Sequence, residues 1–587
     1  MTENYEDLLG LAPAAPPAAE LVPAAVGGEM AIGAYDGASR FNRQLADWTP
    51  TLGSADLDII PDKPVGDARS RDMMRNDGFV QSGGTIHKDN IVGSQFMLNA
   101  KPSSLTLFGK VDEEWEAAFQ EEVEELFHLC AESPDNLFDS SRQNTFTEMV
   151  RLVVGLNVMG GESLSTVDWK KDGRPFNTAI QIVDTDRLTT PPIKLMNPMI
   201  RAGILKDDYG VPQIYHIRRV HPNDYLPTFY NLQMMWTWDE VPARKPWGRV
   251  QVIHIFTQMR AAQTRGISAM VAALKEMHIT HKFRDVTLQS AVTQALYAAA
   301  ITSDLDTESV FQRLGAGASA DDYEGAIANY MRGYYSVLSE FTNNSKNLHV
   351  DGVRIPHLPP GTKLDIISPG KGGPLGMDFE KSLLRYIAAT LNVSYEQLSK
   401  DYSSTSYSSA RASMTETWKA MQSIKKEIAD RFATHVYRLW LEEMINANML
   451  KTFPASMAAM LYGAGDGKPG VLNLKFEAIS RCDWIGASRG QIDELKETQA
   501  AVLRVQNGLS TYEDEIARLG GDWRKKFRQM SRERKMAKDL ELPWAMEPPA
   551  DTTNTTNALS GNKSNAKGVG SAQALYLDSP KDSADDQ

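Results

Sequence analysis

The sequence predicts an α+β fold in which long helices accompany a mixed or antiparallel sheet, and three observations carry this. The chain runs without Gly or Pro from Ile267 to Ile301, and again from about Ser408 to Leu450. Between about Phe176 and Phe256 it changes to short alternating apolar segments separated by Pro, Gly and Asp. With 587 residues, 42% apolar and 23% charged, the composition is that of a soluble globular protein large enough for two to four domains.

Taken in order, residues 1–33 are rich in Pro, Ala and Gly, as in Leu11-Ala-Pro-Ala-Ala-Pro-Pro17, and are expected to be a disordered arm. From Asp112 to Cys130, Trp115, Phe119, Val123, Leu126 and Cys130 recur at helical spacing while Glu113, Glu114, Glu121, Glu122, Glu124 and Glu125 fill the other faces. That pattern is an acidic amphipathic helix. Ile180–Val183, Gln213–Ile217 and Val250–Ile255 read as strands. The helix after Gly266 spans about 50 Å at ~1.5 Å per residue. A polar segment from Thr302 to about Pro374 follows, with an expected helix at Asp321–Phe341 and strands at Val350–Ile355 and Lys363–Ile367. Helices return at Asp378–Val393 and Ser408–Leu450. Arg518 to Lys538 is strongly basic, and the Asn/Thr/Ser/Gly-rich tail beyond Pro548 is expected to be disordered.

Several function classes find no support. The two cysteines, Cys130 and Cys482, are far apart and have no CxxC partner, so neither a disulfide framework nor a structural zinc site is encoded. A reducing cytoplasm is the expected compartment. The N-terminus lacks the layout of a signal peptide, and no run of roughly 18 apolar residues exists to cross a membrane. Around Gly463–Gly470 a phosphate loop would need Gly and Ser/Thr where Tyr462 and Pro469 stand, so a turn is the better reading. Gly161-Glu-Ser163 lacks the last glycine of a nucleophile elbow. Asp184 and Asp186 offer two carboxylates for a divalent cation, but turn carboxylates of this kind are ordinary. The pairs His216/His221 and His278/His281 have no metal-ligand context. No catalytic residue, cofactor or metal is expected. The formal charge of −13 argues against tight nucleic-acid binding, which rests on Lys and Arg neutralising phosphates.

One segment stands apart. Tyr402-Ser-Ser-Thr-Ser-Tyr-Ser-Ser-Ala-Arg411 joins two helices by a hydroxyl-rich strap too polar for a core. It reads as a surface that something slides past, or as a capping loop with Ser408 or Ser409 at the helix start. The basic run likewise reads either as a phosphate-facing surface or as a solvated helix face.

The ordered motifs resemble the portal proteins of lambda-type tailed bacteriophages. They comprise Arg69-Ser-Arg71-Asp72-Met-Met-Arg75-Asn76-Asp77, Asp89-Asn-Ile-Val-Gly93, Thr145-Phe-Thr-Glu148 and Gly160-Gly-Glu162. Further along come Gln181-Ile-Val-Asp184-Thr-Asp186-Arg187-Leu188, His221-Pro-Asn-Asp224, Val252-Ile-His-Ile-Phe256, Arg260-Ala-Ala-Gln263-Thr-Arg265-Gly266-Ile-Ser268 and Leu358-Pro-Pro-Gly361. The likeness covers roughly residues 34–530.

The resemblance implies a portal-protein fold with wing, stem, clip and crown. Residues 34–265 would form the wing of helices and sheet, 266–302 a stem helix and 303–377 the clip with connecting strands. A second stem helix and tunnel loop would follow at 378–411, the long wing helix and its sequel at 412–480, crown helices at 481–547 and the tail at 548–587. It further implies a homo-oligomeric ring, expected to hold twelve subunits, at one capsid vertex. Double-stranded DNA would pass through its channel without sequence specificity. The implied partners are the terminase large subunit, the major capsid protein and head-tail completion proteins, with no membrane. Lys400, Ser403, Ser404, Thr405, Ser406, Ser408, Ser409 and Arg411 would lie beside the DNA path. Arg524, Lys525, Lys526 and Arg528 would form a basic crown face. The competing readings are another virion structural or scaffolding protein, or an enzyme of the packaging machinery.

Overall fold

In a computed structural model, the described residues are 52–224, 236–297, 377–403, 405–465, 468–490 and 493–540, with isolated positions at 38, 44, 45, 47–50, 234, 332, 333, 336, 349, 350, 353 and 354. Helices α1 (Lys63–Asn76) and α2 (Gly78–Ile91) meet at Asp77, whose carboxylate accepts from the Phe79 and Val80 amides at 2.9 and 3.0 Å and so starts α2. Strand β1 (Met97–Ala100) leads to α3 (Glu113–Ala131), the predicted acidic helix, with Asp112 as its N-cap. Phe119, Val123 and Phe127 are buried on one face, while Glu113, Glu114, Glu121 and Glu125 stay in solvent. The Thr145–Glu148 motif is a capping box that opens α4 (Phe146–Gly160).

The sheet region is antiparallel, as the turn-punctuated alternation predicts. Strand β2 (Glu162–Trp169) is central, flanked by β3 (Thr178–Val183) and, from far along the chain, the strand Val252–Phe256. Between them β4 (Ile200–Arg201), β5 (Ile204–Lys206), β6 (Pro212–Arg218) and β7 (Trp238–Pro242) form a second sheet in sequence order. Val252–Phe256 is β8 and starts two residues later than its sequence pattern suggests, Val250 forming an isolated bridge with Arg244.

The helix expected directly after Gly266 begins later. The Ser268 hydroxyl accepts from the Met270 amide at 3.1 Å and sets up a 3₁₀ turn, Ala269–Ala273, before α5 (Leu274–Tyr297). Residues 298–301 lie outside the described residues. So does the expected strand Lys363–Ile367, and of the expected helix Asp321–Phe341 only Arg332, Gly333 and Ser336 are described, all helical; of Val350–Ile355, Val353–Arg354 pairs with His349–Val350. Helix α6 (Met377–Thr390) packs beside α5, with Phe283 edge-on to Phe379 and Arg284 Nε 2.7 Å from Glu380. It stops short of the expected Val393, the chain turning at Asn392 with φ +53°. A further short helix, α7 (Tyr395–Ser399), is capped by Ser394 and Gln397.

The long helix foreseen from Ser408 to Leu450 is two helices, α8 (Tyr407–Ile424) and α9 (Asp430–Asn446), joined by a π turn at Lys425–Ala429. The wide turn accompanies a buried ion pair. Lys425 Nζ reaches Asp430, five residues on, at 2.7 Å and the Trp484 carbonyl at 2.8 Å. Gly463–Gly470 falls in a hairpin of β9 (Tyr462–Gly465) and β10 (Lys468–Leu472), as the turn reading expects. Strand β11 (Cys482–Ile485) then pairs with β1, roughly two thirds of the chain away in sequence. Three helices follow: α10 (Glu494–Gln506), α11 (Tyr512–Arg518) and α12 (Trp523–Asp539). The main core is one continuous cluster from Met73 to Trp484 that joins α3, α4, α6 and α9, and a smaller one lies between the two sheets. Both cysteines are free thiols, and burial pushes each up to about 11.

Candidate nucleic-acid interface

The strap between α7 and α8 is exposed, and it is organised by its own hydroxyls. Lys400 ends α7 in the left-handed region with φ +58°. Asp401 accepts from the Ser403 hydroxyl at 2.6 Å and its amide at 3.1 Å, and these bonds hold the Asp401 carboxyl below its usual range. Thr405 closes a turn onto the Tyr402 carbonyl, and Ser404 lies outside the described residues. The N-cap of α8 is Ser406, two residues before the position read from sequence; it accepts from the Ser409 amide at 3.3 Å, and the two hydroxyl oxygens are 2.8 Å apart. Ser408 and Arg411 lie on the solvent face of α8, not in the loop, together with Thr415, Glu416 and Lys419. The charge of Arg411 reaches Asp493, just before α10, and contributes to keeping that carboxyl low after the Lys496 hydrogen bonds.

The basic run folds back on the body. Arg528 pairs with Glu121 of α3, and Arg524, stacked over Trp523 at 5.3 Å, enters a crevice lined by Asn99, Gln120, Glu124, Glu513 and Asp522. Lys525 and Lys526 remain exposed. Burial pushes the Glu124 carboxyl up to about 7 against the pull of bonds from Gln120 and the Ala100 amide. A carboxyl raised in the folded state adds stability below its ordinary 4.5, and that contribution is lost as pH rises through about 7. Glu124→Gln is therefore expected to resist urea better than the parent chain at pH 8, with the difference gone by about pH 4.5. Equal midpoints at pH 8 would contradict it.

The start of the α5 arm rests on a buried charge network that the sequence motifs contain but that sequence reasoning assigned no role. Arg265 bonds Glu162 through Nε at 2.9 and 3.0 Å and the carbonyls of Leu188 and Thr185 at 2.9 Å. Lys63 lies 3.3 Å from Glu162 and 2.9 Å from Asp67, and His254 Nε2 is 3.2 Å from Glu162. Burial works against Glu162 ionising, yet the charge of Arg265, the His254 bond and Lys63 hold it well below the usual range. Backbones touch here: a Cβ on Gly266 would sit 2.2 Å from the Gly161 carbonyl oxygen, and Gly161 itself has φ +74°. Gly266→Ala should lower the soluble yield and the thermal midpoint; a variant as stable as the parent chain would show that the contact is slack.

The remaining sequence candidates are structural. Asp184, Asp186 and His221 come together, but the Arg71 guanidinium already bonds both carboxylates, and after the opposing effect of burial it holds Asp186 low. Ser163 is buried in β2. His216 is buried with Nδ1 on the Gly203 carbonyl, and His281 lies 3.8 Å from Asp77. Among the described residues no helix is long and apolar enough to cross a membrane.

Comparison with known proteins gives these features a setting. The family model for the lambda family of phage portal proteins matches residues 41–425. The portal protein of Escherichia phage N15 is 35% identical over 505 residues, covering 85% of this chain and 89% of that protein. Portal protein B of Escherichia phage lambda is 34% identical over 520 residues, covering 87% and 92%. Among solved structures, a chain from the neck of a native gene transfer agent particle aligns at 10% identity with a TM-score of 0.35, covering 79% of this chain and 99% of that one. On the family match and the two relatives, this chain belongs to the lambda family of phage portal proteins, structural components of the virion at the head-tail connection.

Proposed function

We propose that the chain assembles as a ring, of twelve copies, at one capsid vertex, and that double-stranded DNA is packaged and ejected through its bore. In this reading α5 and α6 are stem, α8 and α9 belong to the wing, α10 to α12 form the crown, and residues 303–377 supply the clip. Terminase, the major capsid protein and head-tail completion proteins dock on the ring, which is assembled in the host cytoplasm.

The observation that carries the reading is α5. Beyond Arg284 every side chain from Asp285 to Gln289 is exposed, including Val286 at 64% and Leu288 at 66%. A helix that leaves the body with apolar residues in water needs neighbours, and copies of the same helix around a closed ring supply them through unlike faces. Supporting it, α10 and α11 bury no residue while Leu495, Leu503, Leu509 and Leu519 are exposed. Mass measurement of the purified oligomer with end-on imaging tests this: a stable monomer, or an assembly without a central hole, would refute it. Purified protein is also expected to show no ATPase activity, since translocation energy would come from a separate terminase.

The strap suits the inner wall. Hydroxyls paired to one another can exchange hydrogen bonds with phosphates without anchoring them, and the negative chain keeps a polyanion mobile. Placing lysine at Ser403 and Ser408 should slow packaging while rings still form; an unchanged packaging rate would remove the strap from the DNA path.

A further inference from the structure

A second surface, apart from the DNA path, has the chemistry of a peptide groove. The far end of β2 and the face of α9 enclose a cleft of about 690 Å³ lined by Trp169, Trp247, Tyr462, Asn177 and Asn446. Its floor is rigid. Glu443 accepts from the amides of Asn177 and Thr178 at 2.6 and 2.9 Å and from the Thr178 hydroxyl, while Glu442 accepts from Arg249 at 2.6 Å and from the Trp247 indole and Tyr462 hydroxyl at 3.2 Å. These carboxylates are engaged within the protein, so the floor calls for no cation. The walls are different: Trp169, with Arg249 over its ring at 5.6 Å, is 56% exposed and Trp247 38%. Lys245 lines the opening together with Asp168.

The chain itself contains a complementary segment. Leu11–Pro23 carries Pro13, Pro16, Pro17 and Pro23, and residues 1–39 hold Glu3, Glu6, Asp7, Glu20, Glu29 and Asp36 with no Lys or Arg. Proline-rich segments favour the polyproline II helix and dock on aromatic-lined grooves at low entropic cost. Reach is ample. The chain enters the body near Asp56, which accepts from the Thr264 amide at 2.8 Å beside the Glu162 end of β2. The cleft lies at the Trp169 end, about 23 Å along the strand at ~3.3 Å per residue. Residues 24–51 can span roughly 90 Å when extended.

We propose that this aromatic cleft is the docking site of the chain's own proline-rich arm, Leu11–Pro23, with its prolines against Trp169 and Trp247 and its one carboxylate, Glu20, toward Lys245. The arm would then be tethered to the outer body and kept away from the surfaces that meet DNA or capsid.

The test uses the full chain, a version lacking residues 1–33, and a synthetic peptide of residues 8–24. Removing the arm is expected to raise acrylamide quenching of tryptophan, and adding the peptide to the shortened protein should restore shielding saturably. Trp169→Ala, at an exposed site where folding should survive, is expected to weaken the peptide about tenfold or more. Lys245→Glu should weaken it further, and a peptide with its four prolines changed to alanine should not bind. The idea is overturned by no saturable binding up to about 1 mM, by binding indifferent to Trp169, or by shielding in the full chain that appears only on association, which would give the cleft to a neighbour's arm.

Discussion

Arg265→Ala is expected to cost about 3–5 kcal/mol, because it leaves Glu162 buried without its principal counter-charge. The side chain of Glu162 is fully out of solvent, and Arg265 also satisfies carbonyls of Leu188 and Thr185 that would lose their donor. Urea denaturation of the purified chain measures the loss. The pH dependence has a defined sign: a carboxyl held low in the folded state stabilises above its ordinary 4.5, and that contribution disappears as pH falls through the lower folded value. In the Arg265→Ala protein, acid should therefore do less additional damage than in the parent chain. A loss under about 1 kcal/mol at neutral pH would mean that Lys63 and solvent replace the guanidinium. The consequence for function is positional, since Arg265 and Gly266 precede the turn from which α5 departs.

Phe127→Ala should be of similar size, about 3–5 kcal/mol. Phe127 is 1% exposed and meets Phe138, Phe146, Tyr437, Trp440 and Trp484 at centroid distances between 5.1 and 5.8 Å. These rings come from the turn at Phe138, α4, α9 and β11, so one truncation in α3 opens a cavity where all of these segments converge. The midpoint of thermal or urea unfolding reads the effect; Phe127→Leu, which refills most of the volume, should recover a large part of it. A Phe127→Ala chain as stable as the parent would indicate that the cluster collapses around the gap.

Much of the local structure was legible because short-range chemistry decides it. The acidic helix at 113–131 follows from the apolar spacing of Phe119, Val123 and Phe127, and Asp112 caps it as its side chain allows. The antiparallel sheet follows from alternation and turn residues. The Gly463–Gly470 turn follows from the residues missing for a phosphate loop. The breaks were less visible. Nothing in the unbroken Ser408–Leu450 pattern marks the π turn at Lys425, whose side chain donates to the carbonyl of Trp484 some sixty residues on. Similarly, the delay before α5 comes from Ser268, which also donates to the Val158 carbonyl at 2.6 Å.

The candidate site divides in the same way. The strap was recognisable from its run of hydroxyls, but which serine caps α8 depended on the fold of Asp401 and Ser403 around it. Arg524 and Arg528 were visible as charge, whereas their turning inward toward Glu124 and Glu121 was not. The Trp169–Trp247 cleft left no sequence signal, since its walls come from the end of β2, the turn at Trp247 and Tyr462, and its floor from α9.

By itself, then, the sequence determined the α+β class, the order of helices and strands, the hydroxyl strap and, through its ordered motifs, the family. Only the tertiary structure decided the pairing of β1 with β11, the Glu162–Arg265 network, the split of the long helix and the aromatic cleft. Periodicity and capping act over a few residues and are written in the chain, while buried charges and cross-chain strands take their partners from wherever packing delivers them.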